Sequence, residues 1–307
     1  MNMSRERQMA YFLQLLFNGI HNAALYSLLA YGYVLIHGLT HRTDLSLGAI
    51  FAFSGQTFIL ATAFGWSVLW MTLPAALSLG TVIAIVYVGI GGYVIARFIY
   101  APLDAGNRNT VLVATLGLSI FLMELSRIAA NTRDYWLPPL LADPVRLLGP
   151  AIGISLTQLQ IVNIVIAFSV IAVGEMIMLR TSAGRIWRAV SDEPAASALC
   201  GIDTSRVRTQ AILAAYGVCA LAGFLAALYY GNVSFNTGMI FGLKILFITA
   251  AGGFSRPLYA AFGAAVIGII ESLWGGYFSV LWRDAAVFSL LVFVLATRTN
   301  VQETERL

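Results

Sequence analysis

Residues 154–179 read ISLTQLQIVNIVIAFSVIAVGEMIML, an apolar run in which Glu175 is the only charged residue. A hydrocarbon core is crossed by about 20 apolar residues of helix. A chain in lipid must satisfy its own backbone hydrogen bonds, so such a run reads as a spanning helix. Arg180 follows it directly, and blocks of similar character cover Tyr11 to Ile36 and Trp66 to Ala96. The same criterion places helices over residues 11–36, 44–63, 67–98, 109–130, 155–179, 209–230, 239–252, 258–277 and 280–297. The expected fold is an all-α, polytopic transmembrane helical bundle with eight or nine membrane segments in a single domain, residues 1–307. The segment Phe241 to Ala251 is short for a full span and is flanked by Gly238, Gly242, Gly252 and Gly253. That is the pattern of a half-helix or a re-entrant element.

Composition supports this reading. Of 307 residues, 59% are hydrophobic and 10% charged, against about a quarter charged in soluble domains. Eighteen basic and fourteen acidic residues leave a small positive balance confined to a few loops, so nucleic acid is not expected as a partner. Two cysteines, Cys200 and Cys219, and three histidines provide neither a disulfide framework nor a metal-ligand spacing, and no cofactor is expected. No phosphate-binding glycine loop is present, so ATP hydrolysis, if it is used, belongs to a separate subunit.

The stretch 180–208 carries Arg180, Arg185, Arg188, Arg206 and Arg208, which the positive-inside rule assigns to the cytoplasm. Counted outward from it, the loop 100–109 is cytoplasmic and the proline-rich connection 131–153 is external. If every segment spans, the N-terminus is outside and the C-terminus inside. Arg5 and Arg7 pull mildly against that N-terminal placement.

Within the cytoplasmic stretch, residues 184–203 read GRIWRAVSDEPAASALCGID. Asp192 and Glu193 suit the positive end of a helix, Pro194 its first turn and Gly201 its stop. A short helix over Glu193 to Leu199 is expected, the only sizeable cytoplasmic helix candidate, with Ala195, Ala196 and Leu199 available for close contact. A solvated loop with a single helical turn is the plainer alternative.

This stretch resembles the coupling loop of permeases of the branched-chain amino acid ABC transporter family, which reads Gly-Arg-x-x-Arg-Ala, then acids, Ala-Ala and Gly-Ile-Asp. Gly184, Arg185, Arg188, Ala189, Asp192, Glu193, Ala195, Ala196, Gly201, Ile202 and Asp203 match. Colinear similarities occur at Asn18 and Gly19, Tyr100 to Leu103, Thr115 to Leu122, Gly242 to Lys244, Gly252, Gly253 and Pro257. The chain departs from the family at Thr40 to Gly48, where an Asn-Phe-Ala-His-Gly-acid type sequence is usual and only Asp44 and Gly48 are kept.

The resemblance implies an inner-membrane permease without chemistry of its own. Its partners would be a second homologous permease, two cytoplasmic ATPase subunits and an extracytoplasmic solute-binding protein, and its solute a branched-chain amino acid or a related small polar molecule. Intramembrane charge is costly and marks candidate path residues. Lys244 and Glu271 can meet across two helices, either as a packing pair or beside solute, and Asn18, His21 and Asp44 are further candidates. An ion-gradient-driven transporter or channel, using such acids as ion sites, is the competing function class.

Overall fold

The computed structural model describes residues 2–100, 108–146, 154–253 and 256–304, with side chains over 7–100, 110–146, 154–253 and 256–297. Helices α1 (Asn2–Thr40), α2 (Ser46–Ser67), α3 (Leu73–Ile95), α4 (Arg108–Ala129) and α5 (Gln158–Arg180) come first. They are followed by α6 (Ser182–Asp192), α7 (Pro194–Leu199), α8 (Thr204–Tyr230), α9 (Thr237–Gly252), α10 (Pro257–Tyr277) and α11 (Arg283–Thr304). A π-helical turn, Ala96–Tyr100, extends α3, and a 3-10 turn, Val280–Trp282, leads into α11. Among the described residues eight helices are long and apolar enough to cross a membrane, and α9 is a shorter apolar helix. Ala101 to Leu103 and Pro150, part of the sequence expectations, lie outside the described residues.

Side-chain caps set several boundaries. Thr157 and Gln160 form a reciprocal capping box at the start of α5, and Asp203 Oδ1 accepts the Arg206 backbone N–H at 3.0 Å to open α8. The external connection contains one element that the helical reading missed, a two-stranded antiparallel ribbon of β1 (Pro144–Arg146) and β2 (Ser155–Thr157).

The long first helix defines the two ends of the bundle. Near its start, Gln14 Nε2 donates to the Ser155 carbonyl at 2.8 Å and the Tyr11 hydroxyl to the Gly276 carbonyl at 2.8 Å. At its finish, the Trp187 indole donates to the Leu35 carbonyl at 3.1 Å and the Ser191 hydroxyl to the Gly38 carbonyl at 2.6 Å. The external connection and the α10 terminus therefore share one end, and α6 the other.

Helix α9 runs between these ends. Thr237 lines a cavity with Asp134 and Trp136, whereas Arg256 and Pro257, just beyond its last turn, line another with Arg188 and Asp192. At about 1.5 Å per residue its sixteen residues reach only about 24 Å, short of a hydrocarbon core about 30 Å thick, in keeping with the expected short segment. Gly48 allows its close approach to α2: a Cβ there would sit 2.2 Å from the Gly238 carbonyl oxygen and 2.3 Å from the Gly242 nitrogen.

Small residues at four-residue spacing serve the same purpose in α8 and α10, where Ala222, Ala226, Ala227 and Ala264 are fully buried. The core centres on α1 with Tyr31, Tyr33, Phe51, Phe58 and Tyr216 fully enclosed, while α3, α5 and α11 expose long apolar faces. Those faces would meet lipid.

Candidate functional site

A cavity of about 460 Å³ opens toward the end that carries the external connection, with Asp134, Trp136, Asn232 and Ser234 in its outer part. Deeper lining comes from Asn22, Leu25 and Tyr26 of α1, Phe51 of α2, Phe241 of α9, Glu271 of α10 and Arg283 of α11. The Phe51 and Phe241 rings stack at 4.9 Å with an interplanar angle of 14°.

Four charges meet beside this lining. Lys244 Nζ lies 3.1 and 3.2 Å from the two Glu271 carboxylate oxygens and 3.0 Å from Asp284 Oδ1. The Tyr26 hydroxyl donates to Glu271 Oε2 at 2.7 Å, and Arg283 Nε is 3.2 Å from Glu271 Oε1. Two cations balance two anions, so the cluster is neutral as a unit. Lys244 and Glu271 are buried at 1% and 4% exposure, which only such mutual satisfaction permits. The side chains of Arg283 and Asp284 are 39% and 44% exposed, and Arg283 lines the cavity.

The other candidates lie elsewhere. Asn18 accepts from Gln14 and Gln160, and His21 meets Asn163 Nδ2 at 3.2 Å and stacks on Tyr229 at 4.1 Å, so both belong to the seam where α1 packs on α5 and α8. Asn22, Leu25 and Tyr26, not Asn18 and His21, are the α1 residues that reach the cavity. Asp44, 3% exposed, accepts hydrogen bonds from Tyr100 and from the Ser46 backbone and hydroxyl, both of the latter at 2.7 Å. It fixes the first turn of α2. Burial pushes its carboxyl up from the usual range, an effect that those hydrogen bonds oppose.

At the opposite end, the sequence expected one short helix and the structure holds two. Ser182–Asp192 is an amphipathic helix that precedes the expected one: Trp187 and Val190 are buried, and Arg185 and Arg188 are exposed. Asp192 ends this helix, so it does not begin the next. Glu193 adopts extended φ −147°, ψ 90°, as a residue before proline must, and α7 starts at Pro194. Gly201 at φ +85° terminates it. Gly184 is buried, and a Cβ there would lie 2.1 Å from the Met178 carbonyl oxygen. Ala195, Ala196 and Leu199 point outward, Leu199 at 90% exposure, whereas Ser197 is turned inward.

Sequence reasoning missed Arg283, Asp284, Tyr26 and Trp187. The two charges stand at the start of the last apolar segment, where interfacial charges are ordinary, so position alone did not mark them. A three- to four-residue apolar spacing through Ile186, Trp187 and Val190 was the available signal for α6.

A bundle of this kind, with a charged cavity at one end and a solvent-exposed helix at the other, can be compared with known proteins. Residues 15–296 match the family model described as branched-chain amino acid transport system / permease component. The chain belongs to this family. The high-affinity branched-chain amino acid transport system permease protein LivH of Escherichia coli (strain K12) is 28% identical over 294 residues, 94% of each chain. BraD of Pseudomonas aeruginosa, with the same description, is 24% identical over 289 residues, again 94% of each. The fructose import permease protein FrcC of Rhizobium meliloti is 25% identical over 251 residues, 76% of this chain and 63% of its own. No solved structure matches. This family member is a multi-pass membrane protein and the permease subunit of an ABC importer, a transport subunit and not an enzyme.

Proposed function

We propose that the permease lies in a bacterial inner membrane and, with a second homologous permease, forms the path by which branched-chain or similar small amino acids enter the cell. An extracytoplasmic binding protein delivers the solute to the outward cavity, and two cytoplasmic ATPase subunits drive the cycle. Residues 180–208 act as the coupling loop of the single membrane domain. Helix α7 docks in the ATPase through Ala195, Ala196 and Leu199, flanked by Arg185, Arg188, Asp192, Glu193, Gly184 and Gly201. Lys244 and Glu271 brace the path and do not act chemically. Asn18, His21 and Asp44 hold the helices that frame it.

One observation carries this reading: a single helix connects the two ends. At the inner end α1 is held to α6 by Trp187 and Ser191, and further out the same helix presents Tyr26, hydrogen-bonded to Glu271 at the cavity floor. A displacement imposed on α7 passes through α6 into a rod whose outer half lines the cavity, which is how a partner's closure changes access. The ion-gradient alternative finds no free acid in Glu271, which is already held by Lys244 and Arg283.

The test is reconstitution into liposomes with the cognate permease, ATPases and binding protein. Radiolabelled leucine should accumulate only with ATP and binding protein, and a protonophore should leave the rate unchanged. Accumulation driven by an ion gradient without ATP would sink the proposal.

A further inference from the structure

We propose that the outward cavity is itself a solute-binding station for a zwitterion, in which Arg283 takes the α-carboxylate, Asp134 faces the ammonium, and Phe241 and Tyr230 border the solute's side chain. It rests on the amino-acid import reading above and adds a site within the membrane subunit, separate from the one on the binding protein.

The charge cluster decides which groups are available. Lys244 has three N–H donors, and four acceptor atoms surround it: both Glu271 oxygens, Asp284 Oδ1 and the Tyr26 hydroxyl. At 2% side-chain exposure it has neither the donors nor the access to greet a solute. Glu271 is equally engaged, with Oε2 accepting from Tyr26 and Lys244, and Oε1 beside Lys244 and Arg283. These two residues, the obvious intramembrane charges, are thus a fixed base.

Arg283 differs. Its Nε faces the carboxylates of Glu271 and Asp284 at 3.2 and 3.7 Å, while its side chain stays 39% exposed in the cavity lining. Nε makes no hydrogen bond to them, so the guanidinium is held there by charge alone and keeps its terminal N–H groups to form a forked pair with a carboxylate, the geometry that makes arginine suited to such ligands. The negative lining group that remains is Asp134, which forms no ion pair among the described residues. A ligand that brings one anion and one cation therefore meets one complementary group of each sign.

The rest of the lining mixes aromatic surface from Phe241 and Tyr230 with the polar groups of Asn22, Asn232, Ser234 and Thr237, and the about 460 Å³ volume falls in the usual range for small-molecule sites, roughly 300–1,000 Å³. An uncharged polyol would engage neither charge, whereas an amino acid engages both Arg283 and Asp134.

Leucine import by the reconstituted complex tests this, with three variants read against the wild type. Arg283→Gln should lower leucine kcat/KM by about tenfold or more, and Arg283→Lys should recover part of the loss. Asp134→Asn lies outside the charge cluster and so tests the site without disturbing folding; it should raise the leucine KM by about fivefold with kcat kept. If wild type imports leucine and both Arg283→Gln and Asp134→Asn match it, the station does not exist and the import reading stands. Failure of wild type to import any amino acid overturns the import reading and this site with it.

Discussion

Replacing Lys244 with methionine removes the cation at the centre of four charges while keeping most of the side-chain volume. Breaking a buried ion pair costs about 3–5 kcal/mol, because the remaining charge is stranded. Here Glu271 keeps two partners, the Tyr26 hydroxyl at 2.7 Å and Arg283 Nε at 3.2 Å, and Asp284 is 44% exposed and can turn to water. The low end of the range therefore applies, about 3 kcal/mol, or roughly 150-fold in the unfolding equilibrium. Glu271→Gln alone leaves Lys244 with Asp284 at 3.0 Å and should cost somewhat less. The double variant Lys244→Met/Glu271→Gln removes one charge of each sign and leaves Arg283 to pair with Asp284. Its destabilisation should fall short of the summed singles by about 2 kcal/mol. Reversible SDS unfolding of the detergent-solubilised permease, followed by tryptophan fluorescence, measures all three. Strictly additive variants, or a Lys244→Met cost below about 1 kcal/mol, would show that the four charges do not act as a unit.

Ala196→Arg, on the exposed face of α7, should leave membrane insertion and thermal stability unchanged, since arginine is a good helix former. Uptake and co-purification of the ATPase should be lost; retention of both would remove α7 from the coupling role. Gly48→Ala places a Cβ 2.2 Å from the Gly238 carbonyl oxygen and should destabilise by about 3 kcal/mol, the upper end for overpacking, as seen in a lowered melting point by fluorescence-detected size exclusion. Gly117→Ala in α4, where a Cβ meets nothing within 4 Å, is the matched control and should raise stability slightly. Cys200 is exposed and Cys219 buried, so a membrane-impermeant maleimide should label the native chain once in inside-out vesicles and not in intact spheroplasts; labelling from outside would invert the bundle.

The sequence by itself determined the membrane-spanning bundle and the short helix of the arginine-rich loop to within a residue of its start. Each depends on a residue and its neighbours within a few turns: apolar length measures transfer into lipid, and caps and prolines act on adjacent peptide groups. It also drew Lys244 and Glu271 to attention, because a charge within an apolar run is anomalous wherever it later packs. The composition of the site was not local. Lys244 is 27 residues from Glu271 and 40 from Asp284, and Tyr26 is 245 from Glu271. Whether they meet depends on how far each helix is turned about its axis and how deep it sits, which the packing of glycine on glycine between α2 and α9 helps to fix. The same rotation sends His21 toward Asn163 and Tyr26 toward Glu271, five residues apart on one helix, and turns Ser197 inward while Ala196 faces out. A periodic sequence marks such faces only when polarity alternates around the helix, and in lipid the outward face is as apolar as the core. Tertiary packing alone therefore decided which polar residues line the cavity.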